Sequence, residues 1–266
     1  GFEFNVSWYA IRNLEKRIML NFRLNGNTYK SVYGGFGEAL ANLNDAYKKD
    51  SSVDSKLNVN SMIQYQDGES PTALFAVRSL GIDPATGKEV FLTKNGTPTF
   101  DYNADDRVKI ADTNPKIRGV FGISFTYKNL QASVNLRYNL GSFAFNSALF
   151  NKVENISASN IAYNQDKRAL YDRWQKPGDK AQFKNIANST STPMSSRFVA
   201  DENTLSCESV SIGYETQARW LRHFGASSMT IRGYMNDIFR ISTVKNERGL
   251  DYPFARSVAF SLGIRF

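Results

Sequence analysis

Arginines placed at alternate positions of short-period segments are the residues here whose type and spacing most suggest chemistry. Arg23, Arg118, Arg137, Arg232 and Arg265 each share a parity with polar or small neighbours. A guanidinium offers five donors and a permanent charge. Such a set either meets anionic, strongly hydrated cargo or hydrates and cross-braces a wet wall. Tyr171 and Trp174, with Asp179 close behind, form a second group, since a flat aromatic face suits the apolar face of a sugar ring, although a Trp in such a stretch equally packs its own loop. Asp101, Asp105, Asp106, Asp172 and Asp179 bring oxygen, and Ca²⁺ takes six to eight oxygen ligands. No Asp-x-Asp-x-Asp-Gly spacing organises them, Asp105-Asp106 beside Arg107 reads as a solvated turn, and no metal or other cofactor is expected. The sole histidine, His223, lies between Arg222 and Phe224, and the sole cysteine, Cys207, has no base beside it. With no nucleophile elbow among the serines, the chain is expected not to be an enzyme.

The elements that carry these residues follow from period-two alternation, because successive side chains of a strand point to opposite faces. Phe2, Phe4, Val6 and Trp8 alternate with polar residues, as do Ile18, Leu20, Phe22 and Leu24. Ile117 to Tyr127 predicts a third strand and Leu130 to Leu140 a fourth, joined by a hairpin at Lys128-Asn129. Thr204 to Thr216 predicts a fifth whose phase slips, which a β-bulge near Glu208-Ser209 would reconcile. Met229 to Met235 is the sixth. Ser257 to Phe266 is the seventh, with Val258, Phe260, Leu262, Ile264 and Phe266 on one face and Arg265 on the other.

Strands of about ten residues suit a tilted path across a bilayer. The predicted connections alternate between short (residues 9 to 16, 128 to 129, 217 to 226) and long (26 to 116, 141 to 203, 237 to 256). That alternation is the asymmetry of an outer-membrane barrel, with short periplasmic turns and long extracellular loops. The fold class is therefore all-β: an antiparallel transmembrane β-barrel segment of about seven membrane strands. An Arg turned to lipid costs about 2–4 kcal/mol at mid-bilayer, so the apolar parity is expected to face lipid and the arginine parity the lumen.

Composition agrees. Hydrophobic residues are only 41% and no run of eighteen apolar residues exists, but barrel strands expose apolar residues only at every second position. Aromatics at 13% suit interfacial girdles. The formal charge of +8 is spread without a basic cluster or recognition helix, so no nucleic acid partner is expected. Cationic loops could equally meet anionic outer-leaflet glycolipid. One cysteine excludes an intrachain disulfide framework. Gly1 is followed by neither a charged nor an apolar leader region, so any secretion signal is expected upstream or removed.

Counted back from a periplasmic Phe266, seven strands put Gly1 outside, whereas a complete bacterial barrel has an even number. The expectation is a carboxy-terminal piece of a larger barrel. Ala73-Leu-Phe-Ala-Val and Glu89-Val-Phe-Leu look like an extra hairpin within the first long loop, which would add two strands and leave this parity intact.

Wording in the loops carries a family likeness. Gly81-Ile-Asp-Pro-Ala-Thr-Gly-Lys-Glu, Asp106-Arg-Val, Pro115-Lys, Tyr127-Lys-Asn-Leu, Asp172-Arg-Trp-Gln-Lys-Pro-Gly-Asp179 and Ser196-Arg-Phe198 occur in that order. With the closing aromatic strand, they resemble the carboxy-terminal third or so of the SusC/RagA family, TonB-dependent outer-membrane transporters of Bacteroidota. Asn236 to Lys245 and Glu247 to Phe254 look like one branch of it. No plug domain, TonB-contacting box or earlier barrel strands are present in residues 1–266. For the parent protein the resemblance implies uptake of oligosaccharides or peptides, a SusD-like lipoprotein lid, and energy from the TonB complex acting on the missing plug region. Under it, Tyr171, Trp174 and Asp179 become extracellular contacts to substrate or lid. Phe260, Leu262, Ile264 and Phe266 resemble the signal read by the outer-membrane assembly machinery. Other classes remain open: a self-contained outer-membrane barrel such as an adhesin or porin, or a soluble β-sandwich binding module.

Overall fold

The computed structural model describes residues 1–50, 62–156, 162, 165–245 and 256–266. The segment from Glu247 to Phe254 lies outside them. Seven long strands form one antiparallel sheet: β1 (Phe2–Asn13), β2 (Ile18–Thr28), β8 (Ile117–Tyr127), β9 (Leu130–Phe145), β10 (Val199–Thr216), β11 (Ser228–Ser242) and β12 (Val258–Arg265). Their order in the sheet is their order in the chain, so every neighbour pair is a meander step. β1 and β12 are its two edges.

Register, not the strands alone, makes the faces. Trp8, Phe22, Ile123, Val134, Val210, Met235 and Val258 oppose one another in turn, an unbroken apolar row across all seven strands. Two rungs away, Leu20, Phe125, Ala132, Ile212, Gly233 and Phe260 make another. A one-residue slip anywhere would turn the following strands inside out. Bulges hold the phase instead. Glu208 is the extra residue of β10 between Cys207 and Ser209, where the fifth strand was expected to slip. β11 answers with its own irregularity at Asp237, whose φ is +50°.

This sheet does not enclose the hydrophobic core. Its large apolar side chains stay exposed or half-buried, Phe260 at 78% and Trp8 at 62%, while the buried clusters lie in the long connections. A half-buried sandwich strand would bury that face. A barrel wall leaves it for lipid.

Among the described residues, the first long connection holds α1 (Glu38–Asp50) and five short strands: β3 (Ala73–Ala76), β4 (Arg78–Ile82), β5 (Glu89–Leu92), β6 (Pro98–Thr99) and β7 (Val108–Asp112). β3 pairs with β7, and β5 sits between β4 and β6. The expected hairpin of Ala73-Leu-Phe-Ala with Glu89-Val-Phe-Leu therefore does not form. Each run finds a different partner, because short apolar runs say nothing about pairing. The second long connection carries a π-helical turn at residues 149–154. β9 and β10 run on beyond the predicted strands to support both, and Phe145, Phe150 and Phe198 pack ring against ring at 5.1–6.2 Å.

One predicted turn is corrected. β1 continues to Asn13, so the first turn spans 14–17 rather than 9–16. A register shift between Tyr9 and Ile11 breaks the alternation there and hides the strand's continuation.

Candidate functional site: the polar face and the loop layer above it

The face opposite the apolar rows collects the five arginines. Arg23 shares a rung with Ser7, Gly122 and Asn135, and Arg118 shares one with Asn27, Asn139 and Thr204. Arg137 lies between Val120 and Ser206, Arg232 between Gly213 and Ser261, and Arg265 opposite Ser228. Two of them lie in ordinary van der Waals reach of a glycine on the next strand. A Cβ on Gly213 would lie 3.5 Å from Arg232 Nε, and one on Gly122 would lie 3.8 Å from Arg23 Cβ.

Polar side chains are knitted across strands on this face. Asn21 Nδ2 donates to Ser7 Oγ at 2.9 Å, Asn135 Nδ2 to Ser209 Oγ at 2.9 Å and Asn139 Nδ2 to Thr204 Oγ1 at 3.0 Å, while the Ser133 and Ser211 hydroxyls meet at 2.8 Å. Arg118 Nε donates to Asn27 Oδ1 at 3.2 Å, and its guanidinium carbon stands 4.9 Å from the Tyr29 ring centre. Arg137 pairs with the bulged Glu208, and Arg240 Nη2 reaches Glu202 Oε1 at 3.1 Å. Near the loop end a cavity of about 450 Å³ is lined by Glu3, Asn5, Asn25, Asn27, Arg118 and Arg137, among others. It presents amide, carboxylate and guanidinium groups together, which suits a hydrated polar ligand and not an apolar one.

Close approach of backbones shapes the same region. A Cβ on Gly119 would sit 1.9 Å from Asn25 O, and one on Gly26 would sit 2.6 Å from both the Phe4 ring and Tyr138 Oη. Tyr138 Oη in turn donates to Asn25 O at 2.9 Å.

The loop layer holds an ionic cluster that sequence reasoning missed. Arg197 Nη2 contacts Glu89 Oε2 at 2.9 Å and Glu154 Oε1 at 2.7 Å, with the Glu154 side chain wholly buried. Ser195 Oγ donates to Glu89 Oε1 at 2.6 Å and Thr192 Oγ1 to Glu154 Oε1 at 2.9 Å. Burial opposes the charge on Arg197, yet the Glu154 and Glu89 contacts outweigh it and hold its pKa above the ordinary value. Lys184 nearby goes the other way: burial depresses its pKa, and the charge of Glu154 offsets this only in part. Arg173, also depressed by burial, donates to the carbonyls of Ala169, Lys184 and Val153. Of its members, Glu89 ends the Gly81-Ile-Asp-Pro-Ala-Thr-Gly-Lys-Glu wording and Arg197 lies in Ser196-Arg-Phe198, stretches that carried the family likeness and not a predicted site.

Of the expected loop contacts, Trp174 is committed within the loop layer. Its Nε1 donates to Pro84 O at 2.8 Å, and its ring occupies the space where Gly87, at φ +69°, would carry a Cβ. Asp179 Oδ2 accepts from the backbone N–H groups of Gln175 and Lys176 at 3.1 and 2.9 Å, closing its own turn. Tyr171 is 64% exposed. On β12, Phe260, Leu262 and Ile264 share the apolar face, and Phe266 follows its last residue at 82% exposure. His223 lies in the exposed part of the 219–224 turn. Among the described residues, no group of three or more His, Cys, Asp or Glu is arranged to hold a metal ion.

An exposed apolar face, a hydrogen-bonded polar face, short turns at one end and folded loops at the other define a strip of outer-membrane-type β-barrel wall. Solved structures share this fold. The chain matches the RagAB peptide importer in the "open-open" state at TM-score 0.73 and 14% identity, over 99% of this chain and 28% of that one. The RagAB peptide transporter (TM-score 0.67, 12% identity) and the importer in the "closed-closed" state (0.68, 15%) match over 98% of this chain and 28% of theirs. The chain thus has the fold of part of a RagAB barrel and spans about 28% of that protein's length. No protein-family model and no curated protein matches it.

Proposed function

We propose that residues 1–266 are the carboxy-terminal segment of the barrel of a TonB-dependent outer-membrane importer of the SusC/RagA type, whose plug domain and earlier strands lie elsewhere in the parent protein. The carrying observation is the apolar row from Trp8 to Val258 across all seven strands, joined to a likeness that covers nearly the whole chain. Two free sheet edges also support further strands, since unpaired backbone is costly in hydrocarbon. In this reading Arg23, Arg118, Arg137, Arg232 and Arg265 line the lumen. The loop layer meets a SusD-like lipoprotein lid, with Tyr171 among its exposed aromatics. The cargo is an oligosaccharide or peptide, moved across the outer membrane of a Bacteroidota-like cell at the expense of TonB-coupled energy. The apolar face of β12 with Phe266 serves as the assembly signal.

The test uses the full-length parent. Tagged and solubilised from outer membranes, it copurifies with a surface lipoprotein and supports uptake that stops when TonB is deleted. A parent without a plug, or residues 1–266 conducting ions alone in a planar bilayer, would favour a self-contained barrel instead.

A further inference from the structure

The first two short turns frame a groove that nothing in the transport reading uses. Residues 14–17 and 128–129 lie side by side, tied by the Lys128 N–H donating to Arg17 O at 2.8 Å. Between them opens a cavity of about 500 Å³ whose lining includes Glu15, Lys16, Arg17 and Lys128 together with Ile18 and Tyr127. Three cations face one carboxylate. Among the described residues none of the three cations makes an ion pair, and Lys128 Nζ rests 5.3 Å from the Tyr127 ring centre. Ile18 and Tyr127 oppose each other on the apolar face. The groove therefore sits where the lipid-type surface of the sheet ends and a cationic rim begins.

Backbone conformation makes the side-chain choice unusual. Arg17 and Lys128 both have φ +53°, a left-handed conformation that Gly or Asn adopts at least cost. Long cations nevertheless stand at both positions, on adjacent turns and facing the same groove. A turn needing only to reverse the chain would gain from glycine there.

We propose that this groove holds the headgroup phosphate of an anionic phospholipid from the leaflet at the turn end, with Lys16, Arg17 and Lys128 around the phosphate and an acyl chain against Ile18 and Tyr127. The half-apolar lining favours a lipid over a free anion, which would use the cations alone. The proposal rests on the barrel reading, which puts the apolar face in the membrane.

The test compares the full-length protein with its Lys16→Gln, Arg17→Gly, Lys128→Gly variant, in which glycine relieves both left-handed positions and spares the fold. Lipid retention is titrated by native mass spectrometry with phosphatidylglycerol, phosphatidylcholine or inorganic phosphate. Each surface cation near an anionic lipid contributes about 1 kcal/mol, roughly fivefold, so allowing for screening the variant should bind phosphatidylglycerol at least about tenfold more weakly. Removing three loop cations, Lys94, Lys176 and Lys180, should leave retention unchanged. Equal retention by the groove variant overturns the proposal, and so does displacement of the lipid by millimolar inorganic phosphate. Failure of the unmodified protein to insert into liposomes would defeat the barrel reading itself, whereas insertion without preferential phosphatidylglycerol binding defeats only this site.

Discussion

Replacing Arg197 by Met asks what the buried cation between Glu89 and Glu154 is worth to the loop layer. At its contact distances of 2.7 and 2.9 Å, each ion pair is worth about 6 kcal/mol before desolvation at an effective dielectric of 20. Most of that is returned as the cost of burying three charges. What the substitution leaves behind matters more: two carboxylates with side chains only 7% and 0% exposed and no cation between them. Breaking a buried pair from one side costs about 3–5 kcal/mol. The barrel wall itself does not depend on this cluster, so the loss appears as local opening. Hydrogen–deuterium exchange reads it directly at two amides that join the loops: Ser196 N–H, bonded to Val77 O at 3.0 Å, and Ser79 N–H, bonded to Ser196 Oγ at 2.9 Å. Their exchange should accelerate by about two to three and a half orders of magnitude. Neutralising the acids as well, with Glu89→Gln and Glu154→Gln added to Arg197→Met, should restore most of the protection, because no buried charge is then left unpaired. Acceleration below tenfold in the single variant, or a triple variant as unprotected as the single, would refute the reasoning.

The two faces of β9 should respond oppositely to charge. Val134→Arg, in the central apolar row, should cost about 2–4 kcal/mol of folding into lipid, whereas Asn135→Arg on the other face should cost under about 1 kcal/mol; urea titration of the barrel in vesicles distinguishes them. Gly119→Ala drives a methyl into Asn25 O and should lower stability by roughly 1–3 kcal/mol, while Gly263→Ala, with nothing within 4 Å, should leave the gel-shift melting temperature unchanged. Acid should loosen the β3–β7 sheet through Asp112, whose carboxylate accepts from Thr72 Oγ1 at 2.6 Å and Asn114 N at 2.9 Å. Burial raises its pKa, but the Thr72 and Asn114 hydrogen bonds and Lys109 outweigh this and leave it depressed. Its contribution is therefore complete above the ordinary carboxylate range and disappears as pH falls below that range through the depressed pKa. Exchange at Asn114 N–H should rise in that window, and Asp112→Asn should abolish the pH dependence.

Strand number and face were legible because period-two alternation survives without tertiary information. The seven segments ending at Phe266 all form, and the parity slip at Glu208-Ser209 is the bulge it implied. The same signal fails where a bulge makes it stutter, at Tyr9 to Ile11, so it assigns the last five residues of β1 to a turn. In the loops it failed altogether. Ala73 to Ala76 and Glu89 to Leu92 do form strands, but the hairpin expected between them does not, because short, mostly apolar runs specify burial without specifying a neighbour.

Sequence by itself decided which side chains share a face, since that depends only on the geometry of consecutive residues. Strand register then joined those faces across the sheet, with five arginines on one surface and the aromatic and aliphatic rows on the other. Tertiary structure alone decided what the long connections do. Glu89, Glu154, Lys184 and Arg197 are separated by up to 108 positions and no common period, and each looks like a solvated loop charge until the chain folds back and removes the water from around it. It is likewise the fold that commits Trp174 to Pro84 and Gly87 and brings Lys16, Arg17 and Lys128 around one groove, because contacts between distant turns depend on strand register and not on sequence neighbours.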